Sequence, residues 1–218
     1  KKKTWLQITK TNDEAYAKLA LPKYERRYVT TTDGKKMLVW VILPPNFDKN
    51  KKYPALLYCQ GGPQSPLTQS YSFRWNFSLM ASQGYVVVAP NRRGMYGHGQ
   101  EWNEKISKDW GGQVMDDYLS AIDDVAKESY VDKSRLGAVG ASYGGYSVYY
   151  LAGIHNNRFK TFISHCGVFN MESMYGTTEE IFFANFDMQG SYFDKPTPKS
   201  YTEFNPIKFV NNWDTPIL

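Results

Sequence analysis

Cysteine is scarce in this chain of 218 residues, which contains only Cys59 and Cys166. Two cysteines are too few for a disulfide framework, so the small disulfide-stapled domains are excluded. Neither cysteine belongs to a CxxC pair or to a histidine–cysteine cluster at zinc-binding spacing, and the sequence therefore predicts no metal and no cofactor. The chain also lacks a run of about 18 apolar residues, so we expect no membrane span.

Basic residues exceed acidic ones by 26 to 21, but they do not gather in one motif. Much of the excess comes from the lysines at positions 1–3 and from Lys49, Lys51 and Lys52, and the remainder are scattered among acids. A nucleic-acid-binding protein usually concentrates its basic residues on one face or in a recognisable motif. We therefore interpret these lysines as solvated surface and expect no nucleic-acid partner.

Short apolar segments closed by glycine or proline recur along the chain. They cover residues 54–59, 85–89, 135–140 and 161–165. Runs of this length and composition are typical of parallel strands that are buried on both faces. Segments with helical character lie between or after them, at residues 73–83, 114–127 and 143–156. The alternation predicts an α/β fold with a mostly parallel twisted sheet, right-handed crossovers and helices on both faces.

The two ends of the chain differ from this pattern. Residues 1–22 are polar and irregular, with a short helix expected around 12–19, and strands at 28–31 and 37–43 follow, joined by an Asp33-Gly34 turn. In the helix at 114–127 the apolar stripe is Val114, Tyr118, Ile122 and Val125, with acids expected opposite. The last residues, Ile217 and Leu218, predict the start of another buried strand. We therefore expect the domain to be truncated at its C-terminal end.

The segment Gly140-Ala-Ser-Tyr-Gly-Gly145 matches the G-x-S-x-G pattern and lies between a predicted strand and a predicted helix. Glycines are needed because the turn leaves no room for a Cβ at those positions. Such a turn holds the Ser142 hydroxyl clear of the sheet and aims the helix N-terminus, which favours an anion, at the reacting centre. The pattern predicts Ser142 as a nucleophile and the Tyr143 backbone N–H as an oxyanion donor. A glycine-rich strand–helix turn without chemistry is the alternative.

A second glycine segment, Gln60-Gly-Gly-Pro63, closes the strand that ends near Cys59. In a fold of this kind that position supplies the second oxyanion donor, since backbone N–H groups without bulky side chains approach a tetrahedral intermediate closely. We favour the amide of Gly62 as the donor, with Gly61 next. A plain turn is the alternative.

The chain supplies no complete catalytic triad. In this fold the order is serine, then an acid, then histidine, and no histidine follows Asp187, Asp194 or Asp214. His155 lies 13 residues along the helix, about 20 Å from the serine at a rise of ~1.5 Å per residue. His165 precedes these acids, and His98 lies in a loop that we interpret as structural. We expect the acid and the histidine beyond residue 218.

Together these residues resemble the prolyl oligopeptidase family of serine peptidases, from about Tyr24 to Leu218. The resemblance is closest to bacterial acylaminoacyl-peptidase and dipeptidyl-peptidase types. It rests on five segments: Gln60-Gly-Gly-Pro63, Asn91-Arg-Arg-Gly94, Gly97-His-Gly-Gln-Glu-Trp102, Asp109-Trp-Gly-Gly112 and Gly140-Ala-Ser-Tyr-Gly-Gly145.

The resemblance implies a hydrolase domain at residues 23–218 that follows a β-propeller, with residues 1–22 as the tail of that propeller and the link out of it. It implies small peptides as substrates and a periplasmic location, and it leaves a homo-oligomer open. It also places Ser142 as nucleophile and Tyr143 at the oxyanion hole. Gln60 departs from the family, which has histidine or a nearby tyrosine there, although a side-chain amide could still assist.

The resemblance further implies that the substrate pocket is built partly after the strand that follows the nucleophile helix. Val168, Met171, Met174 and Tyr175 would make it apolar and adaptable, which favours alanine or larger apolar residues in the substrate. Ordinary core positions are the alternative for each. The family topology places the strand of Ser142 between those ending at Cys59 and Cys166. Two strand spacings of ~4.8 Å predict two free thiols about 10 Å apart.

Two rival functions remain open from the sequence. An esterase of the same fold shares the serine turn, although the Asn91-Arg-Arg-Gly94 and Asp109-Trp-Gly-Gly112 segments argue against it. A non-catalytic scaffold is the other rival, since the expected acid and histidine are absent from the chain. The sequence favours a peptidase without metal or cofactor, and we expect these 218 residues to be inactive alone.

Overall fold

Six strands form one sheet in a computed structural model that describes residue 4 and residues 6–218. The lysines at 1–3, interpreted above as solvated surface, lie outside the described residues. The strands are β1 (Lys23–Thr30), β2 (Lys36–Leu43), β3 (Tyr53–Cys59), β4 (Val86–Pro90), β5 (Val131–Ala141) and β6 (Thr161–His165). Their order across the sheet is β1-β2-β4-β3-β5-β6.

The sheet is antiparallel at one edge and parallel in the rest. β1 pairs with β2 and β2 with β4 in antiparallel fashion, whereas β4, β3, β5 and β6 run parallel to one another. A parallel bridge between Phe162 and Ile217 adds the start of a further strand beside β6, as the sequence predicts. The mostly parallel α/β sheet is therefore confirmed.

Eight α-helices and one 3-10 helix are assigned in the part of the chain that the structure describes. The α-helices are α1 (Asp13–Ala17), α2 (Phe77–Ser82), α3 (Gln100–Glu104), α4 (Gln113–Val125), α5 (Tyr143–Ile154), α6 (Met171–Thr177), α7 (Ile181–Asp187) and α8 (Lys199–Thr202), and the 3-10 helix is Pro206–Asn212. Among these same residues, no helix is long and apolar enough to cross a membrane.

Two hydrophobic clusters lie on opposite faces of the sheet. Val86 and Val88 point into one cluster with residues of α4 and α5, and Val87 and Ala89 point into the other with Ala81 of α2. This alternation is the period of two that a β-strand imposes on its side chains. Helices therefore cover both faces, as predicted.

The four predicted helices, α1, α2, α4 and α5, each differ from their predicted bounds by up to four residues, and the cause is visible in two of them. α2 begins at Phe77 instead of residue 73, because Asn76 has an extended backbone and its side chain accepts a hydrogen bond from the Leu79 N–H. An N-cap of this kind ends the preceding loop and starts the helix. α5 ends at Ile154 because Asn156 and Asn157 adopt positive φ values of 50° and 61°.

α4 buries its predicted stripe, but one of its acids is also buried. Val114, Tyr118, Ile122 and Val125 are all inaccessible, and so is Asp117, which the sequence interpretation placed opposite them. Asp117 accepts hydrogen bonds from the backbone N–H and the guanidinium of Arg93. This buried cation, contributed by the loop after β4, is not visible in the local helical pattern.

The cysteine prediction is confirmed for the described residues, where Cys59 and Cys166 are both free. The strand order β3-β5-β6 places the strand of Ser142 between the strands that end near them, as expected. Lys49, Lys51 and Lys52 are exposed, which agrees with a solvated loop.

Candidate active site

Ser142 occupies the turn between β5 and α5 in a conformation that is rare for a residue with a side chain. Its φ is 56° and its ψ is −123°, and it is exposed between the buried residues Ala141 and Tyr143. Its N–H donates to the His165 carbonyl at 2.9 Å, and its carbonyl accepts from the Tyr146 N–H at 2.9 Å. Strain of this kind costs about 1–3 kcal/mol and is found mostly at functional sites.

The glycines around Ser142 permit backbone segments to approach very closely. A Cβ on Gly144 would lie 2.0 Å from the Cys59 carbonyl oxygen, and one on Gly140 would lie 2.4 Å from the Gly144 carbonyl oxygen. These distances are far inside van der Waals contact. The start of α5 therefore packs directly on the end of β3, which brings the second glycine segment to the serine.

The segment Gln60–Pro63 lies beside the serine turn, as the sequence predicts. A Cβ on Gly61 would lie 2.9 Å from the Ala141 carbonyl oxygen and 3.5 Å from the Ser142 Cβ. Gly62 has a φ of 125°, a value that favours glycine. Among the described residues, no acceptor takes the N–H of Gly62 or of Tyr143. Two unpaired donors are therefore present in the two segments that border Ser142.

A cavity of about 400 Å³ contains Ser142 together with Gln60, Gly61 and Gly62. The Gln60 amide donates to the Ser65 hydroxyl at 3.1 Å, so in this conformation it is engaged within its own loop. Its assisting role stays a prediction.

Other residues of this cavity were missed by the sequence interpretation: Tyr58, Ser65, Arg74 and Trp75. Arg74 and Trp75 were assigned to a helix beginning at residue 73. Recognition of Asn76 as the N-cap would have placed both in the loop that precedes α2.

Buried polar side chains around the turn stay in their neutral forms. Burial raises the pKa of the Cys59 thiol and raises that of the Tyr143 phenol well above its usual range. The Tyr143 hydroxyl donates to the Trp110 carbonyl at 2.8 Å. Cys59 is therefore protonated and does not compete with Ser142 as a nucleophile.

The four residues predicted for the substrate pocket are divided by the structure. Val168, Met174 and Tyr175 are half-buried, whereas Met171 is fully buried in the core. For Met171 the core alternative is therefore favoured, because its side chain is inaccessible at the start of α6. The Tyr175 hydroxyl donates to Asn185 at 2.9 Å. Other side chains line the cavity that holds Ser142, so the pocket role of Val168, Met174 and Tyr175 stays a prediction.

The three histidines have other surroundings, and none of them hydrogen-bonds to the Ser142 hydroxyl. His155 is buried at the end of α5, where its Nδ1 accepts from the Phe159 N–H and its Nε2 lies 3.2 Å from Asp214 Oδ1. The His165 ring centroid lies 6.0 Å from that of Trp75. His98 neighbours Trp102. The Ser142 side chain makes no hydrogen bond to any described residue.

Comparison with known proteins identifies relatives for most of the chain. The model of the prolyl oligopeptidase family matches residues 71–218. Dipeptidyl-peptidase 5 of Porphyromonas gingivalis is 57% identical over 213 residues, which are 97% of this chain and 31% of that protein. Dipeptidyl-peptidase 5 of Porphyromonas endodontalis is 54% identical over 220 residues, covering 100% of this chain and 32% of that protein. The chain thus spans about a third of the length of these curated relatives.

A solved structure shares the same fold. The acylaminoacyl peptidase of Pyrococcus horikoshii superposes with a TM-score of 0.86 at 23% identity, over 97% of this chain and 34% of that one. The fold of this chain is therefore that of an α/β-hydrolase.

Proposed function

This chain belongs to the prolyl oligopeptidase family, and we propose that it supplies the nucleophile of a serine peptidase that hydrolyses short peptides. The observation that carries the proposal is the position of Ser142. It is an exposed serine with a φ of 56° between two buried residues, in the same cavity as Gly61 and Gly62. A strained, exposed serine beside unpaired amides is the arrangement that acyl transfer requires.

In the proposed reaction the Ser142 Oγ attacks the carbonyl carbon of the scissile peptide bond while a histidine takes its proton. The oxyanion that forms is held by the N–H groups of Tyr143 and Gly62. The C–N bond then breaks, the histidine returns the proton to the leaving amine, and an ester remains on Ser142. Water, deprotonated by the same histidine, hydrolyses that ester and releases the acid product.

The acid and the histidine of this reaction would be contributed by a part of the protein outside these 218 residues. The relatives support this proposal because they are about three times as long as the chain. His155 is engaged with Asp214 and Phe159 at the far end of α5. We therefore propose that the 218-residue chain alone is nearly inactive.

We further propose that the whole protein releases dipeptides or acylated residues and prefers apolar side chains. The names of the relatives, dipeptidyl-peptidase 5 and acylaminoacyl peptidase, support the first part. Val168, Met174 and Tyr175 are half-buried apolar residues that would line the pocket once the whole domain is present. A β-propeller before residue 23, reached through residues 1–22, would restrict access to short peptides, and a homo-oligomer would be compatible with this arrangement.

A fluorophosphonate probe tests the proposal. The probe is added to three samples: the full-length protein, the 218-residue chain and full-length Ser142→Ala. Any adduct is then located by mass spectrometry. An adduct on Ser142 in the full-length protein alone supports the proposal. Labelling in none of the three would overturn it and favour a non-catalytic scaffold.

A second assay separates a peptidase from an esterase. The full-length protein is given a dipeptidyl amide and a simple ester of matched leaving group. Hydrolysis of the amide, lost in Ser142→Ala, supports the peptidase. Hydrolysis of the ester alone would favour the esterase.

A further inference from the structure

We infer that Arg92 is a positioning residue for the oxyanion hole, because its guanidinium holds both segments that contribute the proposed donors. The inference rests on the proposed function and adds a residue that does not touch the substrate. Arg92 is fully buried and lies in the loop after β4, outside the serine turn and outside the Gln60–Pro63 segment.

One side of the guanidinium fixes the glycine segment. Arg92 Nη2 donates to the Gln60 carbonyl at 2.9 Å, and Nη1 donates to the Pro63 carbonyl at 2.7 Å. These two carbonyls bracket Gly61 and Gly62. In a trans peptide the C=O and the following N–H point in opposite directions. Holding the Gln60 carbonyl therefore turns the Gly61 N–H away from the guanidinium, and the bond to the Pro63 carbonyl anchors the other end of the segment that contains Gly62.

The other side of the guanidinium contacts the serine turn. The Arg92 Cζ lies 4.8 Å from the centroid of the Tyr143 ring. A cation at this distance from an aromatic face is attracted to it. Tyr143 is also fixed by its hydroxyl, which donates to the Trp110 carbonyl. One side chain thus contacts both the segment that contains Gly62 and the ring of Tyr143.

The positive charge of Arg92 distinguishes it from a residue that only supports the fold. Its polar partners are neutral oxygens: the carbonyls of Gln60, Pro63 and Arg93, and the Tyr118 hydroxyl. No carboxylate of the described residues forms a salt bridge with it. The adjacent Arg93 is equally buried but is neutralised by Asp117 and Asp33. A buried cation without a carboxylate partner is costly, and it is useful where negative charge develops nearby.

The test compares Arg92→Met and Arg92→Lys with Arg93→Lys in the full-length enzyme. Arg93→Lys is the matched control, since it perturbs an equally buried guanidinium that does not contact the Gln60–Pro63 segment. For each variant the thermal midpoint, kcat and KM on a dipeptidyl amide, and the inhibition constant of a peptidyl aldehyde are measured. The aldehyde forms a hemiacetal with the serine and therefore reports binding of the oxyanion.

Removal of a single oxyanion donor costs about 10²–10³ in kcat in other serine hydrolases. We expect Arg92→Met to lower kcat by about tenfold to a hundredfold, to weaken the aldehyde by a similar factor and to change KM little. Arg92→Lys falls between Arg92→Met and the wild type. Arg93→Lys is expected to lose stability while retaining its kcat and its affinity for the aldehyde.

Equal losses of kcat in the Arg92 and Arg93 variants, or an unchanged kcat in Arg92→Met, would overturn the inference. If Arg92→Met does not fold, Tyr118→Phe provides the test, because it removes the hydroxyl that accepts from Arg92 Nε at 2.9 Å and that also donates to the Gln60 carbonyl at 3.5 Å. A smaller fall in kcat with unchanged KM is then expected, and no fall overturns the inference. Wild-type enzyme that fails to label on Ser142 refutes the proposed function instead, so the two failures are distinguishable.

Discussion

Ser142 adopts a backbone conformation that is costly for a residue with a Cβ, and the glycines on either side make room for it. Gly144 is the tightest of them, since a Cβ there would lie 2.0 Å from the Cys59 carbonyl oxygen. Backbone cannot rotate away as a side chain can. We therefore expect Gly144→Ala to lower the free energy of unfolding by about 3 kcal/mol or more and to abolish labelling of Ser142.

Denaturant unfolding measures this effect, and Gly176→Ala is its control. Gly176 lies in α6, and apart from its chain neighbours and the backbone of the helix itself no atom lies within 4 Å of the position that a Cβ would take. Alanine there should gain about 0.5–1 kcal/mol, because glycine is disfavoured inside a helix. Similar stabilities for the two variants would contradict the packing argument.

His155 makes a second prediction at the scale of a residue. Burial lowers its pKa from the usual 6.5, while Asp214 opposes the shift and Arg158 and Lys160 add to it. A group whose pKa is lowered on folding is bound to fewer protons in the native state. The stability that neutral His155 contributes to the fold is therefore present above pH 6.5 and is lost as the pH falls through the pKa of the native state.

We expect His155→Gln to reduce the fall in thermal midpoint between about pH 7.5 and 5.5, since glutamine keeps a hydrogen-bonding side chain that does not titrate. His98→Gln is measured in parallel, because burial also lowers the pKa of His98. An unchanged pH dependence in His155→Gln would show that this histidine is not the source.

The residues that could be predicted from the sequence are those whose roles follow from local geometry. Ser142 and the glycines around it were identified because a tight strand–helix turn restricts which residues fit. Arg92 was identified only as part of a family motif, because its partners Gln60 and Tyr118 are distant in the chain. The sequence also did not decide whether Met171 lies in the core or in the pocket, since an apolar residue at the start of a helix suits either position.

At the scale of elements, α6 links stability to the proposed substrate pocket. Its N-cap is Asn170, whose side chain accepts hydrogen bonds from the N–H groups of Glu172 and Ser173. Loss of an N-cap typically costs about 1 kcal/mol. We expect Asn170→Ala to lose about this much stability and to raise KM more than it lowers kcat, because α6 carries Met174 and Tyr175.

Asn12→Ala is the matched control for the cap. Asn12 occupies the same position before α1, but its side chain makes no capping hydrogen bond. Its replacement should leave stability and KM unchanged. Thermal unfolding and steady-state kinetics of the two variants decide the matter, and equal effects would refute a special role for the α6 cap.

The strands were predicted more accurately than the helices, and the reason is physical. Buried parallel strands such as β3 and β4 are apolar throughout and end close to glycine or proline, so their bounds can be predicted from composition. The strands predicted at 28–31 and 135–140 begin earlier, at residues 23 and 131, because their first residues are mostly polar. The start of α2 depends on one hydrogen bond, which the Asn76 side chain accepts from the Leu79 N–H, and the sequence pattern does not reveal whether that bond forms. The short helices α3, α6, α7 and α8 lack a long apolar stripe and were not predicted as helices.

At the scale of the whole molecule, Arg93 joins three parts of the fold that are distant in the chain. Its guanidinium contacts Asp117 of α4 and Asp33 in the turn between β1 and β2, and its Cζ lies 4.1 Å from the centroid of the Trp102 ring. Arg93 and Asp117 are both buried. The ion pairs of Arg93 with Asp33 and with Asp117 therefore fix the antiparallel edge of the sheet to the helical layer over the parallel strands.

Removal of one partner from a buried charge pair costs about 3–5 kcal/mol when it leaves an uncompensated charge. In Asp117→Asn the Arg93 guanidinium still pairs with Asp33, so we expect a smaller loss in denaturant unfolding, about 1.5–3 kcal/mol, which is the worth of a hydrogen bond to a charged group. Asp123→Asn is the comparison, because its pair with Arg158 is partly exposed and such pairs contribute at most about 1 kcal/mol. Arg93 does not contact the Gln60–Pro63 segment, so the loss of stability should leave the site itself unchanged. Asp117→Asn is therefore expected to label on Ser142 as fast as Asp123→Asn at a temperature where both are folded. Slower labelling of Asp117→Asn would show that the charge pair also influences the site.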